Sequence, residues 1–178
     1  MFIELSYVAP LLFLVFFASS VAADKKWRIG KNYISDLGVS KSPLSRFLFN
    51  GGCVICAALF IAAITELIFE HDLSMVEFAV MALAIFTGVL FALVGIVNED
   101  IRPHHRRIAL SFFGAGFILC VALIIMALFD ARYILVTLSV SGIILTIIST
   151  KKLNWKTTEV VGSVVLLAII SAHFFTIV

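Results

Sequence analysis

Six apolar runs, each about twenty residues long, follow one another along the chain with little between them. No other feature restricts the fold as much. About twenty apolar residues cover the ~30 Å hydrocarbon layer of a bilayer at 1.5 Å per helical residue. In that medium every backbone N–H and C=O must be bonded inside the protein, so a spanning segment is a helix or a strand of a closed barrel. The runs are continuous and lack the period-2 alternation of barrel strands, which leaves helices. The expected spans are residues 3–23, 47–69, 75–97, 106–129, 132–149 and 158–178. The chain is 62% hydrophobic and 13% charged, whereas soluble domains carry about one quarter charged residues. No polar stretch is long enough to bury a core of its own. The predicted fold is all-α: one six-helix transmembrane bundle over residues 1–178.

The charges between the runs are sorted. Of the 13 Lys and Arg residues, 12 lie in or beside the first, third and fifth connections, and Arg132 is the exception. Cytoplasmic loops collect Lys and Arg, so these connections are expected inside and both termini on the outer side. Glu70, Asp72 and Asp130 fall in the opposite loops. Val21-Ala22-Ala23 resembles a signal-peptidase site, but Lys25, Lys26, Arg28 and Lys31 come after the apolar run rather than before it. The first run therefore reads as a retained span. Basic residues placed beside spans read as topology signals and give no nucleic-acid surface. The expected location is a multi-pass position in the plasma membrane of a prokaryote, with membrane lipids as partners.

Cys53 and Cys56 form C-x-x-C inside an apolar run, with no second cysteine pair near it in sequence. Small apolar side chains packed between helices explain them better than a redox or zinc site. Ser42-Pro43 reads as N-cap and first residue of the second helix, and Pro103 as a start for the fourth. Gly38 suits the end of a short turn or interfacial helix. His173 lies in the last span, where bonding to a neighbouring helix is the expected role.

Two polar groups stand out beside the spans. Asn32, Ser35 and Asp36 lie in the first connection, and Asn98-Glu99-Asp100 with His104 and His105 in the third. Asp36 reads as a ligand or base, or as a turn cap or partner of Arg46, Arg102 or Arg106. Carboxylates and imidazoles within seven residues suit a divalent cation or acid–base chemistry. A solvated loop with histidines at headgroup level fits the same residues. An even number of crossings puts both groups at one face. Asn50, about one turn into the second helix, is expected to point into the bundle below Asp36. Arg46, Arg102, Arg106 and Arg107 would add positive charge around the same mouth, which would suit a phospholipid headgroup or a phosphorylated lipid.

The chain resembles the family catalogued as domain of unknown function 998. The resemblance runs through Asn32, the Ile34-Ser35-Asp36-Leu37-Gly38 block, Asn50, Gly95, the acidic turn after it, and a histidine opening the fourth helix before Ala109 and Phe113. His105 has the better spacing to the last two. The five-residue block is also similar to one in the damage-regulated autophagy modulators and the related GPI-remodelling proteins. The resemblance implies a six-span membrane protein and supplies no reaction.

Three functional readings follow from the residues. The first is a lipid-binding membrane protein whose polar pocket is lined by Asn32, Ser35, Asp36, Asn50, Asp100, His104 and His105. The second is a membrane-embedded hydrolase or lipid-modifying enzyme, in which Asp36, Asp100 and His105 hold a divalent ion that activates water. There Asp36 and His105 are the candidates for catalysis. The third is a structural subunit whose polar clusters lock loops together.

Overall fold

A computed structural model describes residues 3–176. Six helices run through it: α1 Leu5–Ala23, α2 Pro43–Glu70, α3 Met75–Ile96, α4 Arg102–Phe129, α5 Tyr133–Lys152 and α6 Trp155–Phe175. All six are long and apolar enough to cross a membrane, and there is no strand among the described residues. The protein is an all-α membrane bundle. Residues 1–2 of the expected domain, and the last two residues of the expected span 158–178, lie outside the described residues.

Two helices begin four residues before the expected spans, and for the same reason. The Ser42 side chain accepts from the Ser45 amide and Pro43 opens α2. Arg102-Pro103 opens α4. Proline at a helix start gives up an amide that had no intrahelical partner in any case. α3 has a capping box: the Ser74 side chain accepts from the Glu77 amide, and the Glu77 carboxylate accepts from the Ser74 amide at 2.8 Å. α6 is capped by Asn154, whose side chain accepts from the Thr157 amide at 2.9 Å.

Five helices close a ring: α1 packs on α2, α2 on α3, α3 on α4, α4 on α6, and α6 on α1. α5 leans on this ring from outside, chiefly against α6. Leu138, Ile144, Leu145 and Ile147 of α5 are each at least half exposed, as lipid-facing positions are. Cys53, Cys56 and Cys120 are free thiols buried between helices. His173 is buried, and its Nε2 lies 2.9 Å from the Ser139 hydroxyl, tying α6 to α5.

Arg132 sits at the end opposite the other cations, and its contacts account for it. It pairs with Asp130 and donates to the Thr176 carbonyl and hydroxyl. It thereby clamps the α4–α5 turn to the last turn of α6.

The basic end is closed by loop one, residues 24–42, which carries the short 3-10 helix η1, Ser35–Val39. Ser20 and Ser45, both fully buried, join α1 to α2 where the loop begins and ends. Asp24 accepts from the Ser40 hydroxyl at 2.6 Å and from the Lys26 amide at 2.9 Å. The Ser40 hydroxyl, and then the Lys26 amide, hold its carboxyl below the usual range. A lowered folded-state pKa stabilises the fold above the ordinary carboxylate pKa, and this contribution disappears as pH falls through the folded value. Asp24→Asn is therefore expected to reduce the drop in melting temperature between pH 6 and pH 3, read by intrinsic fluorescence in detergent.

A candidate site at the basic end of the bundle

Loops one, three and five meet at the basic end. The Ser35 hydroxyl donates to Glu99 Oε2 at 3.3 Å, joining η1 to the second 3-10 turn, η2, Glu99–Ile101. The Asn154 amide donates to the Gly30 carbonyl at 2.9 Å. Lys156 Nζ donates to the Lys31 carbonyl and stands 5.0 Å from the centre of the Tyr33 ring. Segments more than one hundred residues apart in sequence are thus tied into one cap.

Asp36 has two tasks. Its Oδ2 accepts from the Tyr33 amide at 2.9 Å and from Asn32 Nδ2 at 3.2 Å, which caps the turn leading into η1. Its carboxyl also lies against that of Glu99. Asn50 Nδ2 donates to the Gly38 carbonyl at 3.0 Å and pins η1 onto α2, while Asn50 Oδ1 is buried without a partner.

His105 is 4% exposed. Its Nδ1 lies 2.5 Å from the Val97 carbonyl, the α3 C-cap, so the ring bridges the ends of α3 and α4. Its Nε2 is buried and unpartnered.

The residue that sequence reasoning passed over is Glu159. It lies on the second turn of α6, and its Oε2 accepts from the Ile34 amide at 3.2 Å. Asp36 and Glu99 are its charged neighbours. Asp36, Glu99 and Glu159, from three separate elements, are thus electrostatic neighbours at the η1 end of the bundle.

A central cavity opens beneath this cluster. Ser35, His105, Glu159 and Ser163 form its polar end; Phe13, Phe49, Phe91, Phe112 and Phe113 form much of the rest. About 40 Å³ of it is accessible to water. That is room for a few waters or the end of an unbranched chain without movement of side chains. The lining residues Ser35, Phe91, Ala109, Phe113, Glu159 and Ser163 are partly exposed. A second void of about 30 Å³ lies beside Pro10, Cys56, Phe60 and Thr87. The two share Phe91, Phe112 and Leu167 as walls. Phe91 and Phe112 stack at 5.1 Å with 20° between their planes, and Phe13 meets Phe91 edge-on at 4.8 Å.

Several expected members lie elsewhere. Asp100 and His104 are exposed and line neither void. Asn32 reaches the cluster only through Asp36. The set Asp36, Asp100 and His105 is not assembled as a cation cage. Among the described residues no three His, Cys, Asp or Glu side chains converge as metal ligands. Arg46, Arg106 and Arg107 are exposed. The Arg102 side chain is 83% exposed, with Nε 3.8 Å from Glu99 Oε1. Long cationic side chains at a membrane boundary extend toward water, so the arginines rim the cap, while the acid that lines the cavity beneath it is Glu159.

A six-helix membrane bundle with a capped polar mouth is the class that this fold and site define. Within that class, the chain belongs to the family described as Protein of unknown function (DUF998), whose sequence profile matches residues 7–178. No curated protein and no solved structure matches the chain.

Proposed function

We propose that this membrane protein binds one amphiphile, its polar head at Glu159, Ser163, Ser35 and His105 and its tail against the phenylalanines of the cavity, which must shift to admit more than the end of the chain. The observation that carries this reading is the composition of the cavity wall. Hydrogen-bonding groups from η1, α4 and α6 occupy one end, and phenylalanines from α1, α2, α3 and α4 line the remainder. Binding sites for small ligands combine an apolar wall with a few placed polar groups in this way. Partly exposed lining residues, four of them on α4 and α6, offer places of entry. With the basic loops read as cytoplasmic, the head lies at the inner leaflet.

Native mass spectrometry from a mild nonionic detergent tests the binding. Wild type is expected to retain an amphiphile that Ala109→Phe, which fills the cavity, does not; Ser163→Leu serves as a second filled variant. A wild-type protein that emerges clean, and whose melting point no added single-chain amphiphile changes, removes the reading. Ser35→Cys and Asp100→Cys are expected to react with an impermeant thiol reagent from the same side, the cytoplasmic one. Labelling from the outside would invert the assignment of the leaflet.

The hydrolase reading requires an ion held by Asp36, Asp100 and His105, and the exposed position of Asp100 gives that reading no support.

A further inference from the structure

His105 reveals what kind of head the cavity is built for. A carbonyl can only accept, so the short contact with the Val97 carbonyl places a proton on His105 Nδ1. In the neutral ring Nε2 is then an acceptor. It is buried, it has no partner, and its residue lines the cavity. The neighbouring polar groups have the same need. Glu159 offers carboxylate oxygen, and only its Oε2 is engaged, by the Ile34 amide. Ser35 spends its proton on Glu99. Only Ser163 offers a hydroxyl donor in this wall. The cavity end thus presents mostly acceptors, beside three carboxylates.

The nearby cations are committed or turned away. Lys156 is engaged with the Lys31 carbonyl and the Tyr33 ring. Arg102 approaches Glu99 from the exposed side. Arg106 and Arg107 are exposed. A low-polarity cavity beside several carboxyl groups is relieved either by protonation of the acids or by a ligand that brings positive charge and donates hydrogen bonds, and only the second selects a ligand. A phosphate or sulfate head brings the wrong sign, and an alcohol brings one donor and no charge. A primary ammonium brings three donors and one positive charge.

We infer that the amphiphile's head is a primary ammonium, held between Glu159 and His105 Nε2 with its chain directed into the phenylalanine-lined cavity. This rests on the amphiphile reading and narrows it to amine-bearing lipids or long-chain amines.

The test uses four probes on the full chain in nonionic detergent: n-decylamine, n-decanol, n-decyl phosphate and methylammonium chloride. The readout is the probe concentration that gives half of the maximal rise in melting temperature. Decylamine is expected to act at about tenfold lower concentration than decanol, the difference made by one charge-assisted hydrogen bond. Decyl phosphate and methylammonium are expected to be the weakest. In Glu159→Gln the preference for amine over alcohol should collapse toward one while decanol still binds. Glu99→Gln, outside the cavity wall, is the second variant and should lower the preference in the same direction.

Decylamine and decanol acting alike on wild type, or decyl phosphate acting best, overturns the ammonium and leaves the amphiphile in place. A decylamine preference equal in wild type and both variants reports micelle charge alone and overturns it too. Methylammonium matching decylamine removes the tail from the argument, and with it the amphiphile reading. No response to any probe overturns both.

Discussion

Trp27→Ala is expected to lower the stability of the protein by roughly 3–5 kcal/mol, the usual cost of deleting a buried aromatic side chain. Trp27 is 3% exposed. Its ring meets Phe17 of α1 edge-on at 5.8 Å, and its Nε1 donates to the Tyr33 carbonyl at 2.9 Å. It therefore joins the first helix to the segment entering η1. Between membrane helices the transfer of apolar surface from water contributes little, because lipid is as apolar as the packed interior. Loop one is different, since its alternative is the aqueous boundary, and the full transfer contribution applies. Removing the indole should loosen loop one before the ring of helices. The measurement is thiol labelling of Ser35→Cys with and without Trp27→Ala. Cys53, Cys56 and Cys120 are buried and give a low background. Labelling should quicken at temperatures well below the global transition. Equal labelling rates, with only the global melt lowered, would show that Trp27 stabilises the whole bundle and not the cap.

Gly95→Val is the second large effect. A Cβ at Gly95 would stand 2.6 Å from the Asn50 carbonyl oxygen and 2.7 Å from Cys53 Cβ. The first of these is backbone and cannot swing away, so α2 and α3 would have to part. Overpacking of this kind costs about 1–3 kcal/mol. Here the displacement also carries Asn50, whose amide pins η1 through the Gly38 carbonyl. A Cβ at Gly38 would in turn meet Asn50 Oδ1 at 2.5 Å. Gly38, Asn50 and Gly95 thus form one column of close contacts from the cap down into the bundle. Gly114→Ala is the control, because nothing lies within 4 Å of its added carbon. Its melting temperature should hold or rise, by the equivalent of up to about 1 kcal/mol of helix propensity. If Gly95→Val and Gly114→Ala melt alike, close approach at Gly95 does not matter.

How much of this was legible in the sequence depended on the range of the signal. Span length and hydropathy are local and strong, so all six helices could be placed. Ser42-Pro43 and Pro103 are local signals too, and they mark where α2 and α4 begin. The even number of crossings was enough to expect loops one and three together, and Ser35 and Glu99 do touch. Glu159 was missed because it falls inside the expected span 158–178 and has no second acid or imidazole near it in sequence, unlike Glu99 and His105. A signal was nonetheless available: an acid near the start of an apolar span costs free energy unless something uses it. That the arginines rim the cap and do not line the cavity was not legible, because sequence gives the height of a side chain along the membrane normal and not its direction around the helix. The contacts of Asn154 and Lys156 with Gly30 and Lys31 span more than one hundred residues and carry no local pattern. The burial of His105 and the exposure of its neighbour His104 depend on the azimuth at which α4 meets α3.

The ring described above is closed by the first and last of its helices, with Tyr7 of α1 meeting Phe175 of α6 edge-on at 5.2 Å. During synthesis α1 enters the bilayer before the other five helices and its partner α6 after them. Until the ribosome has delivered α6, the void has no wall on that side, Glu159 is absent, and loop one lacks Asn154 and Lys156 to hold it. Long-range closure of this kind comes late in assembly. A chain stalled after α5 would therefore be inserted yet unfinished, its lumen open to surrounding lipid. Quality-control proteases would then have a simple criterion for telling a nascent chain from a mature one.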